Sequence, residues 1–357
     1  MSANGQSLGV ELAERGLVPG WLLRRAIRGQ CERHAGRLAQ LSEAEVAQEQ
    51  LAFRDQARGG AIAPVPELAN AQHYEVPAEF FAMVLGGHRK YSACFWAPGV
   101  RDLTEAEATS LRITCERAAI EDGMRILELG CGWGSLTLWM ASQYPNASIV
   151  AISNSASQRE HIQAEARRRG LGNIEIRTQD MNGFQPTGHF DRVVSVEMFE
   201  HMRNWEALLA RVEQCLAPEG RVFLHVFCHR FATYPYGTDG PEDWLGRLFF
   251  TGGMMPSRDY LRHLDIPLVV ESEWTWGGGH YQRTAEAWLE NLDRRRSDVL
   301  RILARNYGAA EATRWFSRWR IFFLACAEMF GLRGGNEWLV AHYRLKRRDG
   351  PAPRAGT

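Results

Sequence analysis

The stretch Arg125–Thr137, RILELGCGWGSLT, limits the possible folds more than any other part of this 357-residue chain. Its apolar run Ile126-Leu127-Glu128-Leu129 has the length and character of a buried strand of a parallel sheet. The run passes directly into Gly130-Cys131-Gly132-Trp133-Gly134, after which Leu136, Leu138, Trp139 and Met140 open a helical pattern. Strand, glycine turn and helix form the opening unit of a nucleotide-binding α/β fold, where glycines let the backbone approach a ligand that a Cβ would push away. The spacing is GxGxG, not the GxGxxG of dinucleotide enzymes. Taken alone, such a turn can be no more than a tight strand-to-helix connection.

Later segments continue the alternation. Ser148–Ile152 is a second strand ending at Ser153-Asn154-Ser155, with Gln158 in the first turn of the helix that follows. Ile174–Arg177 is a third strand, followed by Asp180 and Met181. Phe190–Val196 is a fourth, and Arg221–Phe227, entered through a turn at Pro218-Glu219-Gly220, is a fifth. Five strands with four intervening helices are expected in this order. Two later stretches, Pro267–Trp276 and Trp338–Leu345, have strand character and complete a seven-stranded, mostly parallel sheet.

Around this core the chain carries two additions. Residues 1–57 read as amphipathic helix, interrupted at Val18-Pro19-Gly20, and Arg58–Pro66 is a linker by composition. The expected division is therefore a helical extension and linker over 1–70 and a main domain over 71–357. Within the extension, Trp21, Leu22, Leu23, Ala26 and Ile27 recur at helical spacing with Arg24, Arg25 and Arg28 between them. That pattern suits a helix packed on the main domain, or a basic surface offered to anionic lipid or a partner. Thr104, with Glu107 three residues on, reads as the start of the helix before the first strand. The regions about 229–265 and 280–335 are rich in Trp, Tyr and Phe and read as lid insertions that cover a substrate cavity.

The charge balance excludes some classes of function. The net charge is +0, so nothing global calls for nucleic acid. Seven scattered cysteines without a CxxC pair read as reduced thiols, and no metal-ligand spacing is visible. No apolar stretch reaches the ~18 residues of a membrane span, and the N-terminus lacks a signal-peptide core. The expected compartment is the cytoplasm. Oligomeric state is open, a homodimer included.

The fourth strand delivers Glu197-Met198-Phe199-Glu200-His201 to the carboxyl edge of the sheet, where α/β folds bind ligands. If a helix begins there, Glu197, Glu200 and His201 share one face. Two carboxylates and an imidazole in an apolar cavity are costly to bury. They suit recognition and deprotonation of an amine, since a positioned base contributes typically ~10²–10⁴-fold. The lesser alternative is that Glu200 and His201 cap the following helix and pair with arginines such as Arg203.

Several motifs carry a family resemblance. The ELGCGxG form, with Glu128 two residues before Gly130, Gly132 and Gly134, resembles the class I S-adenosylmethionine (SAM) methyltransferases, whose fold is Rossmann-like. HYEVP (73–77), KYS (90–92), SNSxxQ (153–158), EMFEHM (197–202), FFTGGMMPS (249–257), HYxxT (280–284) and EWLVAHY (337–343) are similar to one branch of it: the cyclopropane fatty acid synthases and the coclaurine-type N-methyltransferases. The resemblance implies SAM as cofactor. It also implies contacts from Tyr91 and Ser92 to the methionine portion, from Asn154 and Gln158 where many relatives carry a ribose-binding acid, and from Asp180 and Met181 to the adenine. Glu197, Glu200 and His201 would recognise and deprotonate a small-molecule amine.

Two departures count against the lipid-modifying side of the branch. That side has Gly where this chain has Glu197, and a bicarbonate-holding Cys where this chain has Ala93. His225 and Glu200 do match bicarbonate-site positions.

Overall fold

The computed structural model describes residues 8–65, 76–185, 187–240 and 243–348. Its centre is a sheet of seven strands in the order β3-β2-β1-β4-β5-β9-β8: β1 (Arg125–Leu129), β2 (Ser148–Ser153), β3 (Ile174–Thr178), β4 (Phe190–Val196), β5 (Leu216–His229), β8 (Leu268–Trp276) and β9 (Trp338–Arg347). β1 pairs in parallel with β2 and with β4, and only β9 runs against its neighbours. Chain order reverses on either side of β1, so a crevice opens at the carboxyl ends of β1, β2 and β4. β1 is apolar because it is covered on both faces: Ile126, Leu127 and Leu129 are buried.

Three helices precede the sheet in the extension: α1 (Leu8–Glu14), α2 (Gly20–Leu38) and α3 (Glu43–Arg58). Ser42 caps α3 with a reciprocal Glu45 bond, which separates it from α2. Then come α4 (Ala78–Val84), α5 (Leu103–Arg117), α6 (Ser135–Gln143), α7 (Ala156–Arg169) and α8 (Trp205–Gln214). A short ribbon pairs β6 (Tyr234–Pro235) with β7 (Met254–Met255) around α9 (Trp244–Leu248). Beyond β8 lie α10 (Gly279–Arg294), α11 (Arg296–Tyr307) and α12 (Ala309–Phe330). Trp288 and Trp319 are fully buried between these last helices.

Four expectations need correction. Among the described residues, the connection from β3 to β4 holds no α-helix, only a 3₁₀ turn at Met181–Gly183. The extension covers that side instead: Ala63 N–H donates to Asn182 Oδ1 at 2.9 Å, and Asn182 Nδ2 donates to Ala63 O at 2.8 Å. β5 begins at Leu216, through the expected turn, with its register on β4 shifting between Phe190 and Arg192.

The third correction concerns α5. It is capped by Asp102, which accepts from Glu105 N–H, so Thr104 and Glu107 point elsewhere. Finally, the apolar stripe read on α2 is only partly covered, since Trp21 and Leu22 are exposed, and its arginines divide: Arg25, Arg33 and Arg37 are exposed while two others reach the main domain. Arg24 pairs with Glu286 and Glu328, and Arg28 with Glu328, which is 2% exposed. Of the two readings of α2, these pairs support the helix packed on the main domain.

Of the motifs, His73, Tyr74 and Glu75 lie outside the described residues. Among the described residues, no helix is long and apolar enough to cross a membrane.

Candidate active site

The glycine turn leaves β1 with Gly130 at φ +79°, Gly132 at +51° and Gly134 at +80°, left-handed values that favour glycine. A Cβ on Gly130 would stand 2.5 Å from Met198, whereas one on Gly132 would meet nothing within 4 Å. Gly130 is thus fixed by packing, and Gly132 opens onto empty space. Two cavities flank it. The first is walled by Tyr91, Ser92, Glu128, Glu197 and Tyr281, among others. The second is walled by Asn154, Asp180, Met181, Met198 and Met202, among others. They meet at Gly130, Gly132, Gln158 and His201, which line both. All the expected cofactor residues except Gly134 face one cavity or the other; Gly134 packs on Ile162.

The lining leaves polar groups free for a cofactor. Gln158 Nε2, Ser135 Oγ and Trp133 Nε1 are buried without a partner beside the first cavity, and buried donors of this kind call for a ligand. Gln158 is aimed by Ser153, whose Oγ donates to Gln158 Oε1 at 2.6 Å. Asp180 is exposed on the second cavity, with its carboxylate accepting from Asn182 N–H. Glu128 is buried with Thr137 Oγ1 donating at 2.5 Å, and burial pushes its carboxyl up to about 7. A cation entering beside Glu128 would restore its charge.

The loop that carries Tyr91 and Ser92 is tied down by α5. Glu107 accepts from the backbone N–H groups of Gly86, His88 and Lys90, and Thr104 Oγ1 accepts from Gly87 N–H. Lys90 is buried at 2% exposure, its Nζ donating to Ser92 Oγ and Ala93 O.

At the end of β4 the expected helix is one 3₁₀ turn, Phe199–His201, so the three candidate groups do not share a face. Glu197 takes a left-handed φ of +48°, of order 1 kcal/mol or more of strain for a residue with a side chain. Its Oε1 accepts from Ala93 N–H at 2.8 Å and lies 3.1 Å from His225 Nε2, while Oε2 accepts from Tyr281 O–H at 2.8 Å. Glu200 turns away from both cavities: Oε1 accepts from Phe227 N–H at 2.6 Å, and Oε2 is buried without a partner. His201 lies between the cavities, stacked on Phe250 at 5.7 Å.

Burial raises both carboxyls above their ordinary range. At Glu197 this is offset by the nearby charge of Lys90 and then by the Ala93 N–H and Tyr281 O–H donors. Glu200 has one donor and the added repulsion of Glu197, so Glu200 is the protonated member of the pair. Burial lowers the His201 imidazole to about 4, so it is neutral at physiological pH.

Sequence reasoning underrated several residues. His225 and His342 interrupt apolar strands and are fully buried; a histidine inside a run such as Leu339–Leu345 is the available signal. Arg117 has no local signature. Among the described residues, no cluster of His, Cys, Asp or Glu could hold a metal.

Comparison with known proteins agrees with this geometry. The family model described as mycolic acid cyclopropane synthetase matches residues 66–336. The chain belongs to this family. It is a SAM-dependent methyltransferase of the class I fold.

Among similar relatives within and around the family, (S)-coclaurine N-methyltransferase of Thalictrum flavum subsp. glaucum is 35% identical over 343 residues, covering 94% of each chain. Cyclopropane-fatty-acyl-phospholipid synthase of Escherichia coli K12 is 31% identical over 281 residues, covering 78% of this chain and 68% of that protein. A crystal structure of coclaurine N-methyltransferase bound to N-methylheliamine and SAH (S-adenosylhomocysteine) superposes with a TM-score of 0.91 at 33% identity, covering 95% of this chain and 98% of the other. The first and third of these likenesses extend over nearly the whole chain, the helical extension included.

Proposed function

We propose that this methyltransferase transfers the SAM methyl to the nitrogen of a hydrophobic, aromatic small-molecule amine. The observation that carries the reading is the Glu197 carboxylate, held by three donors in the wall of a cavity also lined by Phe227, Phe250, Phe322 and Tyr281. A buried anion among aromatic rings is a receptor for an organic cation.

An amine with a pKa near ~10 arrives mostly as ammonium, without a lone pair. Glu197, whose affinity for a proton is raised by burial, accepts that proton. SAM supplies a methyl group already activated by its sulfonium. The freed nitrogen lone pair would then form the new N–C bond as the methyl's bond to sulfur breaks, its electron pair staying on sulfur to give SAH. His201, a neutral ring at the junction of the two cavities, positions the nitrogen. Glu200 acts from behind, bracing the backbone of β5 through Phe227. The N-methyltransferase relatives support this acceptor class.

The lipid reading has His225 and Glu200 in its favour. Both nitrogens of His225 are engaged by side chains, however, and Glu200 Oε1 is held by Phe227. His225 thus has no nitrogen left for bicarbonate, and Glu200 lines neither cavity.

The test is incubation with labelled SAM, a panel of amines that includes tetrahydroisoquinolines, and phospholipid vesicles, with and without bicarbonate. N-methylated product, indifferent to bicarbonate, is expected. Label confined to lipid would reject the reading.

A further inference from the structure

Glu197 is the inner end of a line of side chains that crosses the sheet. Its Oε1 is 3.1 Å from His225 Nε2; His225 Nδ1 is 2.9 Å from His342 Nε2; His342 Nδ1 is 2.9 Å from Arg117 Nη1. The register makes the middle contact: His225 on β5 and His342 on β9 are directly paired, and paired residues in an antiparallel ladder share a face. Trp276 walls the line, 4.3 Å from His342 and 5.3 Å from His225. Arg117, at the C-terminus of α5, lies over Trp274 and Trp276. Among the described residues, no carboxylate pairs with it at salt-bridge distance.

The chemistry of the four groups orients every proton along the line. A guanidinium only donates. His342 Nδ1 must therefore accept, which puts the His342 proton on Nε2. That proton is donated to His225 Nδ1, so the His225 proton also sits on Nε2 and points at Glu197. The alternative tautomer of His225 would set a nitrogen lone pair against the carboxylate and drive it to take up a proton.

We infer that Arg117 and His342 are positioning residues that act through His225 to keep Glu197 ionised and aimed. The line is a tautomer lock, not a proton wire. A proton that reaches Glu197 finds His225 already protonated on the facing nitrogen, and Arg117 cannot accept one at the far end. The proton taken from the substrate leaves through the cavity.

The inference deepens the amine reading and rests on it for the role of Glu197, but its first test needs no substrate. In the full-length, ¹⁵N-histidine-labelled protein at neutral pH, two-bond nitrogen–proton spectra report the tautomer of each neutral ring; His225→Phe and His342→Phe variants assign the signals. Both rings are expected as the Nε2–H form. Arg117→Met should shift His225 toward the other tautomer, and Arg117→Lys should restore it. In turnover, Arg117→Met and His342→Phe should each lower kcat by about tenfold or more with KM for SAM little changed, and the double variant should be no worse than either single one.

Wild-type His225 found as Nδ1–H, an unmoved tautomer in Arg117→Met, or additive losses in the double variant would each overturn the lock. Should Arg117→Met not fold, His342→Phe carries the same readouts. If the tautomers behave as stated but no amine is methylated, the lock stands and the amine reading falls.

Discussion

Gly86 lies directly against the Glu107 carboxylate. A Cβ at position 86 would stand 2.7 Å from Oε2, while Gly86 N–H donates to Oε1 at 2.8 Å. The glycine lets α5 clamp the loop that leads to Tyr91, Ser92 and the Ala93 N–H that meets Glu197. Glu107→Ala removes the acceptor of three N–H groups, two part-buried and one, that of Lys90, buried, where an unsatisfied donor costs ~1–3 kcal/mol. We expect a clear loss of stability by chemical denaturation and a raised KM for SAM. Gly86→Ala should give a milder version of both, since the carboxylate must shift. An unchanged KM in a folded Glu107→Ala variant would show that the clamp does not shape the cofactor site.

Glu197→Gln keeps the side-chain volume and removes the charge. It should lower amine methylation by ~10²–10⁴-fold while SAH binding, measured by calorimetry, stays near wild type. Glu200→Gln should be far milder, because Glu200 is already protonated and holds only the Phe227 N–H. Equal losses from the two substitutions would mean that Glu200 carries the charge instead.

The difference between these two glutamates marks what the sequence made legible. Strand, glycine turn and helix identify the crevice because backbone periodicity and the need for a close approach are local properties. Glu128, Gln158 and Asp180 are placed by that local logic and do face the cavities. Whether Glu197 and Glu200 share a face depends on a single φ of +48° at Glu197, which has no signature in residue type. The Arg117–His342–His225 line joins α5, β9 and β5. It appears only once β9 is known to insert antiparallel between β5 and β8. In the same way, no periodicity announces that Ala63 of the extension fills the place of a helix between β3 and β4.

The extension's attachment is testable at Glu328, which is buried between Arg24 and Arg28. Because Arg24 and Arg28 keep part of their exposure, the loss falls between the ~0–1 kcal/mol of a surface pair and the larger cost of a fully buried one. Glu328→Ala should therefore lower the unfolding midpoint and make α2 more open to limited proteolysis, with the glycine-turn region still protected. Glu286→Ala, which removes a half-exposed partner of Arg24, should cost much less. Similar effects from the two would contradict the burial argument.

Glu128 gives a pH dependence with a definite sign. Burial lifts its folded-state value to about 7, above the ordinary 4.5. Its contribution to the stability of the ligand-free protein is therefore fully present below about 4.5 and lost as pH rises through about 7. Glu107, also lifted to about 7 by burial against the pull of its three N–H donors, acts in the same direction. Thermal unfolding of the ligand-free protein should give a falling Tm between pH 5 and pH 8, and Glu128→Gln should flatten that slope. Binding reverses the preference. A SAH ammonium placed beside Glu128, which lines the first cavity, would stabilise the carboxylate, so binding near pH 6.5 should release a fraction of a proton. Titration calorimetry in buffers of different ionisation enthalpy measures that release directly. It should vanish in Glu128→Gln, and a release that persists there would assign the proton to another group.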